Sequence, residues 1–193
     1  MTATAVLVPV KAFAQAKVRL APALPAGPRA ELARSMAAAV LRAAGALPVT
    51  VVCDDEEVRA WAAEQGAQVV WAPGRRLDGA VAAGVDALSI QGARRVIVAH
   101  ADLPLAADLT WVGRFPGVTL VPDRRDDGTN VICVPAGEAQ PPFPFSYGPG
   151  SFARHGATAL SLGLPLRVVR HPSLGWDVDV PGDLELAGLG GAR

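Results

Sequence analysis

Three aspartates, Asp102, Asp177 and Asp179, carry the clearest chemical signal in the 193-residue sequence, each at the end of an expected strand. A hard divalent cation such as Mg2+ takes oxygen ligands, uses few protein carboxylates and leaves its other positions to phosphates and water. Asp177 and Asp179 are two apart in an extended segment, so both face one side while Val178 faces the other. They could then meet Asp102 across neighbouring strands. The competing reading is structural: Asp102 opens a turn before Leu103-Pro104, and Asp179 caps a helix starting at Pro181. The later pair tips the balance toward a metal.

A second group is cationic. Lys11, Lys17 and Arg19 lie in Val8-Pro9-Val10-Lys11 and Lys17-Val18-Arg19-Leu20, a loop after the first expected strand. Cations at the C-terminal edge of a parallel sheet can hold a triphosphate and stabilise departing pyrophosphate. For an isolated pair, a solvated loop would be the plainer reading. The loop lacks G-x-x-x-x-G-K-[ST], which argues against a P-loop NTPase. A third group is Tyr147-Gly148-Pro149-Gly150-Ser151-Phe152, directly before an expected helix. Free N–H groups at a helix start, a serine hydroxyl and close-approaching glycines suit a phosphate or carboxylate, which singles out Gly148 and Ser151. Gly128-Thr129-Asn130 adds the Thr129 hydroxyl. A glycine turn followed by an ordinary serine N-cap is the structural alternative. His100, His155 and His171 share no ligand spacing, and no serine or cysteine has an evident base, so all three are expected to be structural.

The elements that must position these groups follow from periodicity. Apolar runs at Thr4 to Val10, Val49 to Cys53, Ala67 to Trp71 and Arg95 to Ala99 read as buried strands. Between them, the stripe Leu32, Met36, Val40 and Ala43, the segment Asp54 to Gln65, and the stripe Leu77, Val81, Val85 and Leu88 read as helices. Such alternation predicts an α/β fold, a mostly parallel central sheet with helices on both faces and ligands at the strand C-terminal ends. Beyond it, Val118 to Val121 and Asn130 to Val134 read as strands, and the proline-rich Pro135 to Pro149 as a substrate loop. A helix from Ser151 to Leu162, a strand around Leu166 to Val169 and an extended segment through Asp177-Val178-Asp179 complete the order. Trp61 and Trp71 are expected in or near the core.

Lys plus Arg and Asp plus Glu both number 18, so no global field favours nucleic acid or an anionic membrane surface. No apolar run approaches the roughly 18 residues of a bilayer span, and the apolar start lacks a basic flank and a cleavage site, so a cytoplasmic protein is expected. Cys53 and Cys133 are too far apart for a redox or zinc motif and read as reduced core residues. The length suits one domain over 1–193. A homodimer stays open.

Taken in order, Val8-Pro9-Val10-Lys11, Lys17-Val18-Arg19-Leu20, Ala101-Asp102-Leu103-Pro104, Gly128-Thr129-Asn130, Gly148-Pro149-Gly150-Ser151-Phe152 and Asp177-Val178-Asp179-Val180-Pro181 resemble the 2-phospho-L-lactate guanylyltransferase family. Its bacterial members are also known as phosphoenolpyruvate guanylyltransferases and act in biosynthesis of coenzyme F420. The resemblance spans almost the whole chain and implies a Rossmann-like nucleotidyltransferase fold. Its nucleotide-binding half would be 1–104 and its acceptor-binding half 105–193. The resemblance implies Mg2+ on Asp102, Asp177 and Asp179, with Lys17 and Arg19 facing the triphosphate of GTP. Thr129, Gly148 and Ser151 would contact phosphoenolpyruvate or 2-phospho-L-lactate. Asp78, where relatives usually carry asparagine, would face the nucleotide, as would Lys11. Two other readings are a nucleotidyltransferase acting on molybdopterin or a sugar phosphate, and a non-catalytic GTP-binding regulator. The first would usually show a glycine-rich loop where Val8-Pro9-Val10-Lys11 stands, and the aspartates argue against the second.

Overall fold

A computed structural model describes residues 4–137 and 140–186. Four strands open the fold: β1 (Thr4–Pro9), β2 (Val49–Cys53), β3 (Gln68–Trp71) and β4 (Arg95–Ala99), with α1 (Ala26–Ala43), α2 (Glu56–Glu64) and α3 (Leu77–Ile90) between them. The second half adds β5 (Val118–Pro122), β6 (Thr129–Pro135), α4 (Ser151–Ser161), β7 (Leu166–Val168) and α5 (Pro181–Leu186). Seven strands form one sheet in the order β3-β2-β1-β4-β6-β5-β7. Only β6 runs against the others, paired antiparallel with both β4 and β5. Residues Val49 to Val52 and Arg95 to Val98 flank β1 in parallel register on its two sides. The strand order therefore reverses at β1, where crossovers leave in opposite directions and open a crevice beyond the strand ends.

Both faces of the sheet are covered, as the alternation predicts. On one face Val6, Val8, Val51 and Ile97 pack with Val40 and Leu41 of α1 and Val58 and Ala62 of α2. On the other, Leu7, Val96, Val98 and Leu120 pack with Val81, Val85 and Leu88 of α3 and Ala159 of α4. Helix starts follow ordinary chemistry: Asp55 accepts a hydrogen bond from the Val58 N–H at the head of α2, and Glu56 and Glu57 fill its first turn.

Three expectations change. The segment Asp177-Val178-Asp179 joins no strand; it lies outside the sheet, held by a hydrogen bond from the Val178 N–H to the Asp102 carbonyl. Trp71 is 40% exposed on the edge strand, beneath the Arg59 guanidinium, because the last strand of a sheet has one unpartnered side. The proline-rich stretch is only partly a loop over the cleft, since Phe143 and Phe145 are buried in the core beside α4. Cys53 and Cys133 are free and buried as expected.

A test of the tight seam between α3 and β1 lies at Gly84, where an added Cβ would come within 2.7 Å of both Leu7 methyl carbons. Leu7 is fully buried and has nowhere to turn. Gly84→Val should cost roughly 2–3 kcal/mol through overpacking, measured as a fall in the urea midpoint without a change in slope.

Candidate active site

The cleft lies at the C-terminal ends of β1 and β4 and encloses about 700 Å³, ample for a nucleotide-sized ligand. Its first wall is the loop after β1. Phe13 is buried edge-on to Trp61, with ring centroids 5.2 Å apart, and Leu20 is buried with Met36 and Val178. Pinned at both points, the loop lifts Lys17 between them in a left-handed backbone conformation (φ 54°), uncommon for a residue with a Cβ. Lys17 Nζ donates to Asp102 Oδ2 at 2.6 Å and to Asp179 Oδ1 at 3.1 Å. Arg19 reaches Asp179 at 3.8 Å with most of its side chain in solvent. Lys11, exposed, lines the same wall with Arg75, which lies just before α3.

The three aspartates all line the cleft. Burial pulls the Lys17 pKa down, but Asp102 and then Asp179 outweigh it, and the ammonium is held above its ordinary range. Burial pushes Asp102 upward, yet Lys17 more than compensates and holds its carboxyl below the usual range. Asp177 has no such partner: burial, then the charge of Asp102, and further on that of Asp179, raise its pKa, and its hydrogen bond from Asn130 Nδ2 is long at 3.5 Å. The expected metal ligands are thus gathered but not closed around one point. Among the described residues no three acidic, His or Cys side chains are set as a ready ligand group, and the Lys17 ammonium bridges Asp102 and Asp179. The donor set nevertheless suits a hard cation. Among the described residues Asp102 Oδ1 is buried without a hydrogen-bond partner, and Asp177 is a carboxylate short of positive charge.

The opposite wall joins the β5–β6 turn to the start of α4. Asp123 shapes the turn by accepting from the N–H groups of Arg125, Asp127 and Gly128. Asp127 then accepts from the Gly150 N–H at 3.0 Å, and its carbonyl accepts from Phe152 N–H, latching the turn to the helix start. Gly148 takes φ +97°, open only to glycine without strain, and Gly150 caps α4 in a left-handed conformation. Ser151 is therefore the first helical residue and not the N-cap. Its hydroxyl lies 3.5 Å from that of Thr129, and both residues are buried at the cleft wall. Arg154 holds the turn from behind, donating to the carbonyls of Ser146, Tyr147 and Pro149.

Asp78 makes a contact that residue type alone does not indicate. Leu77 and Ala80 line the cleft, whereas Asp78 Oδ1 accepts from the Tyr147 N–H at 2.7 Å and so ties α3 to the acceptor-side loop. Several residues that position the site were not singled out from sequence. Asp183 is 1% exposed; it accepts from the N–H groups of Asp179 and Val180 and pairs with Arg124. Arg124 also donates to the Asp177 carbonyl and stacks 4.4 Å over the Trp176 ring. A signal existed for Asp183, an acid in the first turn of a helix where it can reach back to the cap N–H groups. None existed for Arg124 or Arg154.

A family model described as "Guanylyl transferase CofC like" matches residues 4–191. A phosphoenolpyruvate guanylyltransferase of Sphaerobacter thermophilus is 41% identical, with 96% of this chain and 93% of that protein covered. One of Rubrobacter xylanophilus is 36% identical, covering 97% and 95%. Among solved structures, a putative nucleotide-diphospho-sugar transferase from Desulfovibrio desulfuricans superposes with a TM-score of 0.77 at 17% identity, over 96% of this chain and 86% of that one. A nucleotidyl transferase from Methanothermobacter thermautotrophicus gives 0.65 at 16% identity over 97% of each chain. These likenesses show the nucleotidyltransferase fold.

Removing the Asp183 carboxylate frees two N–H groups beside Asp179. Asp183→Ala should cost roughly 2–3 kcal/mol, the scale of hydrogen bonds to a charged group, measured by urea unfolding. Burial raises the Asp183 pKa, but the Val180 and Asp179 N–H groups and Arg124 outweigh it, so it is lowered on folding. Its contribution is accordingly complete above the unfolded carboxylate pKa of about 3.9 and is lost as pH falls through the lower folded value. The stability gap between wild type and Asp183→Ala should stay constant from neutral pH to about 5 and shrink below about 4.

Proposed function

The chain belongs to the guanylyl transferase CofC-like family, and from that premise we propose that it transfers GMP from GTP to the phosphate of phosphoenolpyruvate, releasing pyrophosphate, in coenzyme F420 biosynthesis. The observation that carries this reading is the division of one cleft into two walls. The groups concerned all line the same cleft: Lys11, Lys17 and Arg19 follow β1 and Arg75 follows β3, Thr129 opens β6 and Ser151 opens α4, and Asp102 follows β4, which lies between β1 and β6 in the sheet. Triphosphate against the cationic wall would leave its α-phosphorus facing an acid held on the hydroxyl wall.

The step is an in-line displacement. A phosphate oxygen of the acid forms a bond to the α-phosphorus, and the bond from that phosphorus to the bridging oxygen of pyrophosphate breaks. A phosphomonoester has its second pKa near about 6 and is already an anion at neutral pH, so no general base is required. What the chain must supply is alignment and relief of repulsion between two anions. Mg2+, held by Asp102, Asp177 and Asp179, would neutralise phosphate charge in the cleft. Lys17 and Arg19 would carry the negative charge that develops on the leaving pyrophosphate, and Gly148 would let the acid approach the backbone closely. Residues 1–104 would serve the nucleotide and 105–193 the acid.

The test is pyrophosphate release from GTP with Mg2+, in the presence of phosphoenolpyruvate, 2-phospho-L-lactate or 3-phosphoglycerate, with ATP as the nucleotide control. Release is expected with GTP and phosphoenolpyruvate; its absence with every acid would overturn the reading. Asp102→Ala should abolish turnover. Lys17→Met should lower kcat by roughly 10²–10³-fold, the scale of one group that stabilises developing charge.

A further inference from the structure

We infer that His155 is a positioning residue for the acceptor wall: its Nδ1–H fixes Thr129 so that the threonine hydroxyl proton is offered to the anion in the cleft. This rests on the acceptor site proposed above. His155 lies one turn beyond Ser151 on α4 and is completely buried. Its Nε2 lies 3.0 Å from the backbone nitrogen of Ser146, which can only donate, so Nε2 carries the lone pair and the proton resides on Nδ1. Thr129 Oγ1 lies 3.0 Å from Nδ1 and must therefore accept.

That assignment decides what Thr129 can do. A hydroxyl has one proton, and His155 cannot take it. Among the described residues its only other hydrogen-bond partner is Ser151 Oγ, at 3.5 Å and too far for a strong bond. A phosphate or carboxylate oxygen in the cleft is a better acceptor, and a hydrogen bond to an anion is about twice as strong as a neutral one. The imidazole has no competing role. It packs against Phe143, Phe145 and Tyr147, and burial, followed by the Arg154 charge, pushes its pKa down to about 4, which keeps the ring neutral. One ring thus ties Ser146 in the loop before Gly148 to Thr129 at the head of β6, setting the spacing of the two acceptor contacts.

Two measurements test this, and one is independent of turnover. Imidazole nitrogen NMR of the ligand-free chain should show His155 neutral, with the proton on Nδ1 at pH 7; a proton on Nε2 would overturn the inference whether or not the chain is a guanylyltransferase. His155→Leu should raise the phosphoenolpyruvate KM, or its Kd by calorimetry, at least about tenfold, the scale of one charge-assisted hydrogen bond, with the GTP KM within about twofold. His155→Asn, which can keep a donor near the Nδ1 position, should recover part of the loss. In a Thr129→Val background, His155→Leu should add little. Equal losses toward both substrates, or full additivity of the two substitutions, would overturn it. If His155→Leu does not fold, the His155→Asn and His155→Gln pair decides, Asn being expected to bind the acid more tightly.

Discussion

The cleft is organised around one shared ammonium. Lys17 Nζ bridges Asp102 and Asp179, residues far apart in sequence that the strand ends and the segment after β7 bring together. Partial burial of an ammonium costs several kcal/mol, while a carboxylate about 4 Å away returns roughly 4 kcal/mol at an effective dielectric near 20. One carboxylate would barely break even; two hold Lys17 charged, in agreement with its raised pKa. The balance still leaves the site short of positive charge, since among the described residues Asp177 has no cation of its own and Asp102 Oδ1 has no donor. A site that needs additional positive charge is suited to magnesium and to the cationic wall beside it.

Irregular segments carry nearly all of this machinery, so their precision must come from elsewhere. The Asp177–Asp179 segment is braced by Arg124 and Asp183, and the Gly148 turn by Asp127, Arg154 and Asp78. Each brace uses a charged side chain on backbone groups that no strand or helix satisfies. Such groups would otherwise be costly to bury, and bonding them converts loops into fixed walls without regular structure.

Sequence periodicity revealed the strands and helices because burial on a helix or in a sheet repeats at regular intervals. The stripe Leu32, Met36, Val40 and Ala43 and the run Arg95 to Ala99 are instances that reappear in α1 and β4. Residue type and position before or after an element, rather than periodicity, singled out the aspartates, Lys17, Thr129, Gly148 and Ser151, all of which line the cleft. Neither could reveal which partner each charge would choose. Ser151 entering the helix behind a left-handed Gly150 and Asp183 reaching back to the Asp179 and Val180 N–H groups are local backbone geometries that residue type does not fix, and Asp78 bonding to Tyr147 depends on the distance between segments remote in sequence. The same is true of His155, which has no motif and whose role lies wholly in two partners 9 and 26 residues away.

The central claim is that the carboxylates beside Lys17 form the seat of a divalent ion. Titrating Mn2+ into the chain with a non-hydrolysable GTP analogue, with free ion followed by electron paramagnetic resonance, tests it most directly. Tight binding in the wild type that is lost when Asp102 and Asp177 are both replaced by asparagine is the expected result. Undiminished Mn2+ affinity in that double variant would contradict the account.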